Sequence, residues 1–300
     1  MPSPQYDKLL GILWANRRED ADVAIEVRRA GMEAVALPVP DDVSATVVDV
    51  DGMAAEWVVA AGADAGTVVL YLHGGGYVMG SLATHRKLAG DVSRAVGARV
   101  LLLDYRLAPE APFPAAVDDA VAAYQWLLAA GIEPRAIAVA GDSAGGGLTV
   151  ATLLALRDRG LPMPGAGVAI SPWADLTLEA ASLEGHADRD PVVRRGDLKR
   201  YRDWYLDGTD PRHPGASPAH ADLTGLPPLL VHVGEAEVLL DDAVLLAESG
   251  RRDGVDVTLE AWPDMVHVWH VFAGRVPEST AAVDRIGEFL RARLAGDQDS

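Results

Sequence analysis

The 300-residue chain contains no cysteine. This absence excludes disulfide bonds, cysteine nucleophiles and thiolate metal sites together. Basic residues are scarce as well, because 26 lysines and arginines stand against 44 aspartates and glutamates, for a net charge of −18. Phosphate binding requires a basic face, so this balance argues against nucleic acid as a partner.

Long apolar runs are also missing. No run approaches the roughly 20 residues that span a bilayer, so we predict no membrane segment. The first residues, Met1 to Asp7, lack a basic region followed by an apolar core, and no signal peptide is visible. We therefore expect a cytoplasmic protein. Repeats, low-complexity tracts and linkers are absent too, which favours a single domain over residues 1–300.

A Gly-x-Ser-x-Gly pattern surrounds Ser143, between Gly141 and Gly145. Apolar residues 136–140 precede it and predict a buried strand, whereas residues 148–159 are helix-forming. Serine in a sharp turn between strand and helix is typical of a nucleophile elbow, where crowding demands small neighbours. The pattern alone also fits a glycine-rich turn that merely connects the two elements.

Strand and helix signals alternate along most of the chain. Residues 45–50 and 54–59 predict a hairpin across Asp51-Gly52. Further strands are predicted at 67–72, 99–105, 136–140, 166–171, 229–233 and 255–261, with helices between them. This alternation predicts an α/β fold with a mostly parallel sheet, helices on both faces and an antiparallel edge. Residues 5–36 read as helical, and residues 174–225 lack the alternation except for one helix at 197–206.

An oxyanion site is the first requirement of a serine nucleophile, and such groups gather at the carboxyl ends of parallel strands. The sequence His73-Gly74-Gly75-Gly76 follows the third predicted strand. Its glycines allow backbone N–H groups to approach a substrate, and the N–H of Ala144 is the expected partner. A phosphate-binding loop is the alternative, but no Gly-Lys-Ser or Gly-Lys-Thr sequence follows.

A histidine base is expected after the last strand, where only His267 and His270 of the eight histidines lie. His267 is nearer the strand end and is the predicted base. His270 comes one helical turn later, and we expect it to pack or to face solvent.

An acid is expected after the preceding strand, where four carboxylates compete. Glu237 lies on the loop itself, and spacing favours it slightly. Asp241 and Asp242 also suit the N-terminus of the next helix, and Glu235 lies close enough to the strand to pack against it. The order Ser143, acid, His267 is that of α/β-hydrolases.

Several motifs together resemble the hormone-sensitive-lipase-like carboxylesterases of bacteria. The resemblance runs from about residue 40 to the C-terminus, with the motifs in the family's order. They are His73-Gly74-Gly75-Gly76-Tyr77, Asp104-Tyr105-Arg106-Leu107-Ala108-Pro109-Glu110, Gly141-Asp142-Ser143-Ala144-Gly145-Gly146, Ser171-Pro172-Trp173, Ala216-Ser217-Pro218, Leu226-Pro227-Pro228 and Met265-Val266-His267-Val268-Trp269.

The resemblance implies an α/β-hydrolase fold with a helical cap formed by about residues 1–40 and 174–225. It implies that Gly75 and Gly76 bind the oxyanion together with Ala144. The family usually has Asp-Pro-Leu-x-Asp where this chain has Glu237-Val238-Leu239-Leu240-Asp241, so the acid falls on Glu237, one methylene longer than the usual aspartate. Asp241 remains the alternative.

The function implied is that of a serine carboxylesterase, which hydrolyses short- to medium-chain esters through an acyl-enzyme without metal or cofactor. The expected partner is a small-molecule ester. The resemblance also implies that a homodimer can form, because the family often dimerises through its last strand. A lactone hydrolase or amide deacylase with the same triad, and a non-catalytic ligand-binding protein on the same fold, remain alternatives. Five aromatic residues either line an acyl pocket or pack: Trp14, Tyr77, Tyr201, Trp204 and Tyr205.

Overall fold

Eight strands form one sheet in the computed structural model, which describes residues 2–17 and 23–294. The strands are β1 (Val43–Val50), β2 (Met53–Ala60), β3 (Asp64–Leu72), β4 (Ala98–Leu103), β5 (Ile137–Asp142), β6 (Ala166–Ile170), β7 (Leu229–Gly234) and β8 (Val257–Trp262). Their order is β1-β2-β4-β3-β5-β6-β7-β8. Antiparallel pairing joins β1, β2 and β4, and all pairs from β4 to β8 are parallel, which confirms the predicted α/β sheet with an antiparallel edge.

Helices precede the first strand, connect strands along the sheet and follow the last strand. They are α1 (Pro4–Asn16), α2 (Ile25–Ala34), α3 (Leu82–Val96), α4 (Ala115–Ala129), α5 (Ala144–Asp158), α6 (Ser182–Gly185), α7 (Arg195–Leu206), α8 (Leu240–Arg252) and α9 (Pro277–Leu294). The helical stretch predicted over 5–36 corresponds to α1 and α2, and its part at 18–22 lies outside the described residues. Among the helices described, none is long and apolar enough to cross a bilayer.

The central strands β4, β5, β6 and β7 are buried on both faces, which explains their continuous apolar sequences, whereas the edge strand β1 is largely exposed. Along β5, Ile137 and Val139 join the core formed with α4, α5 and α8, whereas Ala138 and Ala140 face α3 and α9. Successive side chains of a strand point to opposite faces, so both faces need apolar residues. The parallel strands then present their carboxyl ends along one edge, where β3, β5, β7 and β8 deliver the residues considered below.

Helix α5 begins at Ala144, four residues earlier than predicted. The sequence pattern did not indicate this start, because the first turn of the helix contains three glycines and no large apolar residue. These glycines serve close packing. A Cβ on Gly145 would lie 1.9 Å from the carbonyl oxygen of Leu72, and a Cβ on Gly147 would lie 2.2 Å from that of Trp173. The backbone of β3 therefore passes directly against the start of α5.

Candidate active site

Ser143 occupies the turn between β5 and α5 with a positive φ of 56°, a conformation that side-chain-bearing residues rarely adopt. Its N–H donates to the carbonyl of Ile170 at 2.8 Å, and its own carbonyl accepts from the N–H of Trp173 at 2.9 Å. A Cβ on Gly141 would lie 2.3 Å from the carbonyl oxygen of Gly145. Only glycine fits there, which agrees with the crowding expected at a nucleophile elbow.

His267 lies between Ser143 and Glu237. Its Nε2 is 2.9 Å from Ser143 Oγ, and its Nδ1 is 2.8 Å from Glu237 Oε2. An ionised carboxylate can only accept, so Nδ1 carries the hydrogen and Nε2 is left to accept from the serine hydroxyl. Burial lowers the pKa of His267, but the hydrogen bond and charge of Glu237 outweigh burial and place that pKa above its ordinary value.

Glu237 is fully buried, and its second oxygen is held by two donors. Oε1 accepts from Ser171 Oγ at 2.7 Å and from the N–H of Gly234 at 2.6 Å. Ser171 Oγ also accepts from the N–H of Val268 at 3.2 Å, so one hydroxyl contacts both the acid and the residue after His267. Ser171 had no predicted role of its own, although its place directly after β6 was a signal that the sequence offered.

The other candidate carboxylates lie elsewhere. Asp241 Oδ2 accepts from the N–H of Ser182 at 2.8 Å, and Asp242 Oδ2 accepts from the backbone at 174–175. Glu235 is partly exposed and forms no side-chain hydrogen bond with the residues that the structure describes. Within residues 2–17 and 23–294, no group of three or more His, Asp or Glu side chains is placed to hold a metal ion.

His270 was expected either to pack or to face solvent, and the structure shows it buried. Its Nε2 lies 3.1 Å from Nδ1 of His232, and its ring packs 4.0 Å from that of Trp269. Burial lowers the pKa of His270 well below its ordinary value, so the ring is neutral. This histidine is part of the packing behind the last strands.

The glycine loop after β3 presents free N–H groups beside Ser143. Gly75 and Gly76 adopt φ values of 125° and 64°, which suit glycine. In the described part of the chain, the backbone N–H groups of Gly75, Gly76 and Ala144 form no hydrogen bond. The carbonyl of Gly75, in contrast, accepts from Met79 N–H at 3.0 Å, which fixes the loop. Such N–H groups are what an oxyanion requires.

Asp142, the residue before Ser143, ties the serine turn to the glycine loop. Its Oδ1 accepts from Tyr71 Oη at 2.9 Å and from the N–H of Gly74 at 3.3 Å. Oδ2 lies 3.3 Å from Nε2 of His85. Burial acts to raise the pKa of Asp142, but His85 and the hydrogen bonds lower it below its ordinary value. Asp142 occupies the variable position before the serine in Gly-x-Ser-x-Gly. Its hydrogen bonds to the glycine loop are a structural role that the pattern did not indicate.

His73, the first residue of the glycine-loop motif, anchors the loop through its contacts with Tyr105. Its carbonyl accepts from Tyr105 Oη at 2.6 Å, and the two rings stack at 4.3 Å. Burial lowers the pKa of His73 to about 3, so this ring stays neutral and acts as a packing element.

A cavity of about 550 Å³ opens in front of Ser143 and His267. Most of its other walls come from α1, α2, the loop at 191–194 and α7, which belong to the segments 1–40 and 174–225. The division into core and cap stays a prediction. Of the five aromatic residues considered above, only Tyr201 lines this cavity. Tyr77 and Tyr205 instead stack on each other at 3.8 Å within the core.

The sheet order, the strained serine turn and the histidine beside it define the α/β-hydrolase class. A family model described as alpha/beta hydrolase fold matches residues 69–271. The acetyl-hydrolase of Streptomyces hygroscopicus is 48% identical over 297 residues, which cover 97% of each protein. The crystal structure of EstE5 soaked with p-nitrophenyl butyrate is 52% identical, with a TM-score of 0.96 over 98% of this chain and 100% of that one.

An esterase from the bacterial hormone-sensitive lipase family is 48% identical, with a TM-score of 0.95 over 98% of this chain and 100% of that one. The chain belongs to the α/β-hydrolase family and, within it, to the bacterial hormone-sensitive lipase group.

Proposed function

We propose that Ser143, His267 and Glu237 hydrolyse short- to medium-chain carboxylic esters through an acyl-serine intermediate. The chain is a carboxylic ester hydrolase, as its family and its esterase and acetyl-hydrolase relatives indicate. The observation that supports the triad is the pair of hydrogen bonds on His267, 2.9 Å to Ser143 Oγ and 2.8 Å to Glu237 Oε2. This geometry matches a nucleophile, a base and an orienting acid.

The first half-reaction forms the acyl-enzyme. Ser143 Oγ attacks the ester carbonyl carbon while His267 Nε2 takes the hydroxyl proton. The carbonyl π electrons move onto oxygen, and Glu237 stabilises the imidazolium. When the tetrahedral intermediate collapses, His267 returns its proton to the departing alkoxide, so alcohol leaves and the acyl group stays on Ser143.

The oxyanion is stabilised by the backbone of two elements. The N–H groups of Gly75 and Gly76 come from the loop after β3, and that of Ala144 comes from the first turn of α5. All three are unpaired among the described residues, so they can bind the developing charge without breaking existing bonds. Losing one such donor typically costs about 3–4 kcal/mol of transition-state stabilisation.

The second half-reaction uses water in place of the alcohol. His267, neutral again, takes a proton from a water molecule as its oxygen attacks the acyl carbon. The same N–H groups stabilise the second oxyanion. Collapse releases the carboxylic acid and returns the proton to Ser143 Oγ, so the enzyme is restored.

A short to medium acyl chain is favoured by the cavity and by the relatives. The cavity of about 550 Å³ has to hold both parts of the ester. One relative is named an acetyl-hydrolase, and EstE5 was soaked with a butyrate ester. In a p-nitrophenyl ester series, we expect kcat/KM to be highest below about ten acyl carbons, as a pocket of this size suggests. A maximum beyond that length would contradict the proposed substrate class.

Replacement of the nucleophile tests the chemistry itself. Ser143→Ala is expected to lower kcat on p-nitrophenyl esters by about 10⁴-fold or more, because it removes the hydroxyl that forms the acyl bond. Ser44→Ala, an exposed hydroxyl on β1, is the matched control and should retain activity. Full turnover in Ser143→Ala would refute the mechanism. Matched ester, lactone and amide substrates then separate esterase from lactone hydrolase and amide deacylase.

A further inference from the structure

We propose that Asp190 is a positioning residue that fixes Glu237 beneath His267 and couples this acid to the wall of the ester cavity. The inference rests on the proposed function, because it assigns Asp190 a task in the same catalytic site. Asp190 lies in the loop between α6 and α7, outside every motif that the sequence analysis considered.

Both oxygens of Asp190 are engaged by backbone donors. Oδ2 accepts from the N–H of Val238 at 3.1 Å, and Oδ1 accepts from the N–H groups of Val192 and Val193 at 2.8 and 3.1 Å. The side chain is fully buried. A buried carboxylate is costly unless hydrogen bonds compensate for lost water, and three N–H bonds do so here.

The bond to Val238 matters because it lies on the peptide unit directly after Glu237. In that unit, the carbonyl oxygen of Glu237 accepts from His186 Nδ1 at 2.9 Å, and the N–H of Val238 donates to Asp190. Ser182 Oγ then donates to the carbonyl of Val238 at 2.7 Å. Segment 182–190 therefore holds this peptide from both sides, and the peptide's orientation determines where the Glu237 side chain projects.

The other oxygen of Asp190 connects the acid to the substrate cavity. Val192 and Val193, which donate to Oδ1, both line the cavity in front of Ser143. One buried carboxylate thus joins the acid loop to the cavity wall.

Asp190 also acts on His267 through its charge. Burial lowers the pKa of His267, and the charges of Glu237, Asp190 and Asp142 together raise it above its ordinary value. The fourth titratable group at this imidazole, His270, is held neutral by burial. A purely structural anchor would not change the pH dependence of catalysis, whereas a charged positioning residue would.

Asp190→Asn is the primary test, with kcat counted per active site by covalent titration with phenylmethylsulfonyl fluoride. We expect kcat to fall about tenfold, because one bond to a charged acceptor is lost. We also expect the acid limb of kcat/KM to move down by about half a pH unit, because a negative charge near the imidazole is removed. Asp241→Asn, which removes a carboxylate bonded to the same segment at Ser182, should move neither quantity.

Val238→Pro is the second variant, and it separates the effect of the hydrogen bond between Val238 and Asp190 from the effect of the Asp190 charge. It deletes the N–H donor but leaves the Asp190 carboxylate, so kcat should fall while the acid limb stays in place. Val238→Ala, which keeps the N–H, should retain wild-type kcat. If Asp190→Asn does not fold, this pair alone decides, and equal kcat in the two variants overturns the inference.

Wild-type kcat and an unmoved acid limb in Asp190→Asn would also overturn the inference. The inference would also be overturned if Asp190→Asn lowered only the number of active sites that phenylmethylsulfonyl fluoride labels and left kcat per labelled site unchanged. That result would describe a purely structural anchor. None of these outcomes contradicts the proposed function, which Ser143→Ala tests separately.

Discussion

Replacing Glu237 with glutamine tests how the acid acts on the base. The substitution is nearly isosteric and removes only the charge and the acceptor character of one side-chain atom. Oε1 already accepts from Ser171 Oγ at 2.7 Å and from the N–H of Gly234 at 2.6 Å, so the amide oxygen takes that place. The NH₂ group then faces Nδ1 of His267, which must become the acceptor.

The magnitude follows from the tautomer. With Nδ1 accepting from the amide, the ring hydrogen moves to Nε2, which lies 2.9 Å from Ser143 Oγ and can no longer take its proton. The corresponding Asp-to-Asn change in a serine protease triad lowers kcat about 10⁴-fold. We expect a loss of about 10³- to 10⁴-fold for Glu237→Gln, equivalent to roughly 4–5.5 kcal/mol of transition-state stabilisation.

The assay is kcat for p-nitrophenyl butyrate at saturating substrate, with the melting temperature measured beside it. Asp241→Asn is the matched control, because Asp241 bonds Ser182 and not the imidazole. Glu237→Gln should lose activity while remaining folded. In Asp241→Asn, kcat should fall by less than about threefold, because substitutions at partly exposed positions usually have small effects. Wild-type turnover in Glu237→Gln, or a larger loss in Asp241→Asn, would refute the assignment of the acid.

Three further results are expected. Gly145→Ala should destabilise the fold by more than about 3 kcal/mol in urea unfolding, because its Cβ would lie 1.9 Å from the Leu72 carbonyl oxygen. The control Gly11→Ala has open space around its Cβ and should stabilise the fold by about 0.5–1 kcal/mol. Equal effects of the two substitutions on the free energy of unfolding would contradict the packing at α5. Ser171→Ala should lower kcat about tenfold with little change in KM, since it removes one donor to the acid; an unchanged kcat would show that this hydroxyl is dispensable. Activity requires a neutral His267 whose pKa is raised, so kcat/KM should fall with decreasing pH around a midpoint above 6.5; a midpoint below that value would contradict the environment described.

The parts of the site that follow strands of the sheet were predictable from sequence. Ser143 and the glycine loop at 73–76 follow apolar strands directly, and parallel strands bring their carboxyl ends to one edge of the sheet. His267 was predictable for the same reason, since few histidines follow the last strand. Local patterns and one rule of topology were sufficient for these positions.

The acid was less predictable, because four carboxylates follow β7 within a few residues. Contacts from other elements separate them: Ser171 and Gly234 hold Glu237, while Ser182 holds Asp241. Such pairings depend on the path of the long segment after β6, which has no periodicity to read. For the same reason, sequence could not tell which aromatic residues line the cavity and which pack.

The central claim is that a covalent intermediate forms on Ser143. Labelling with phenylmethylsulfonyl fluoride followed by peptide mass spectrometry tests whether Ser143 is the nucleophile on which that intermediate forms. The account predicts one sulfonyl group per chain, located on Ser143, in proportion to the esterase activity lost, and no label in Ser143→Ala. Inactivation without a label on Ser143, or stoichiometric labelling at another residue, would contradict it.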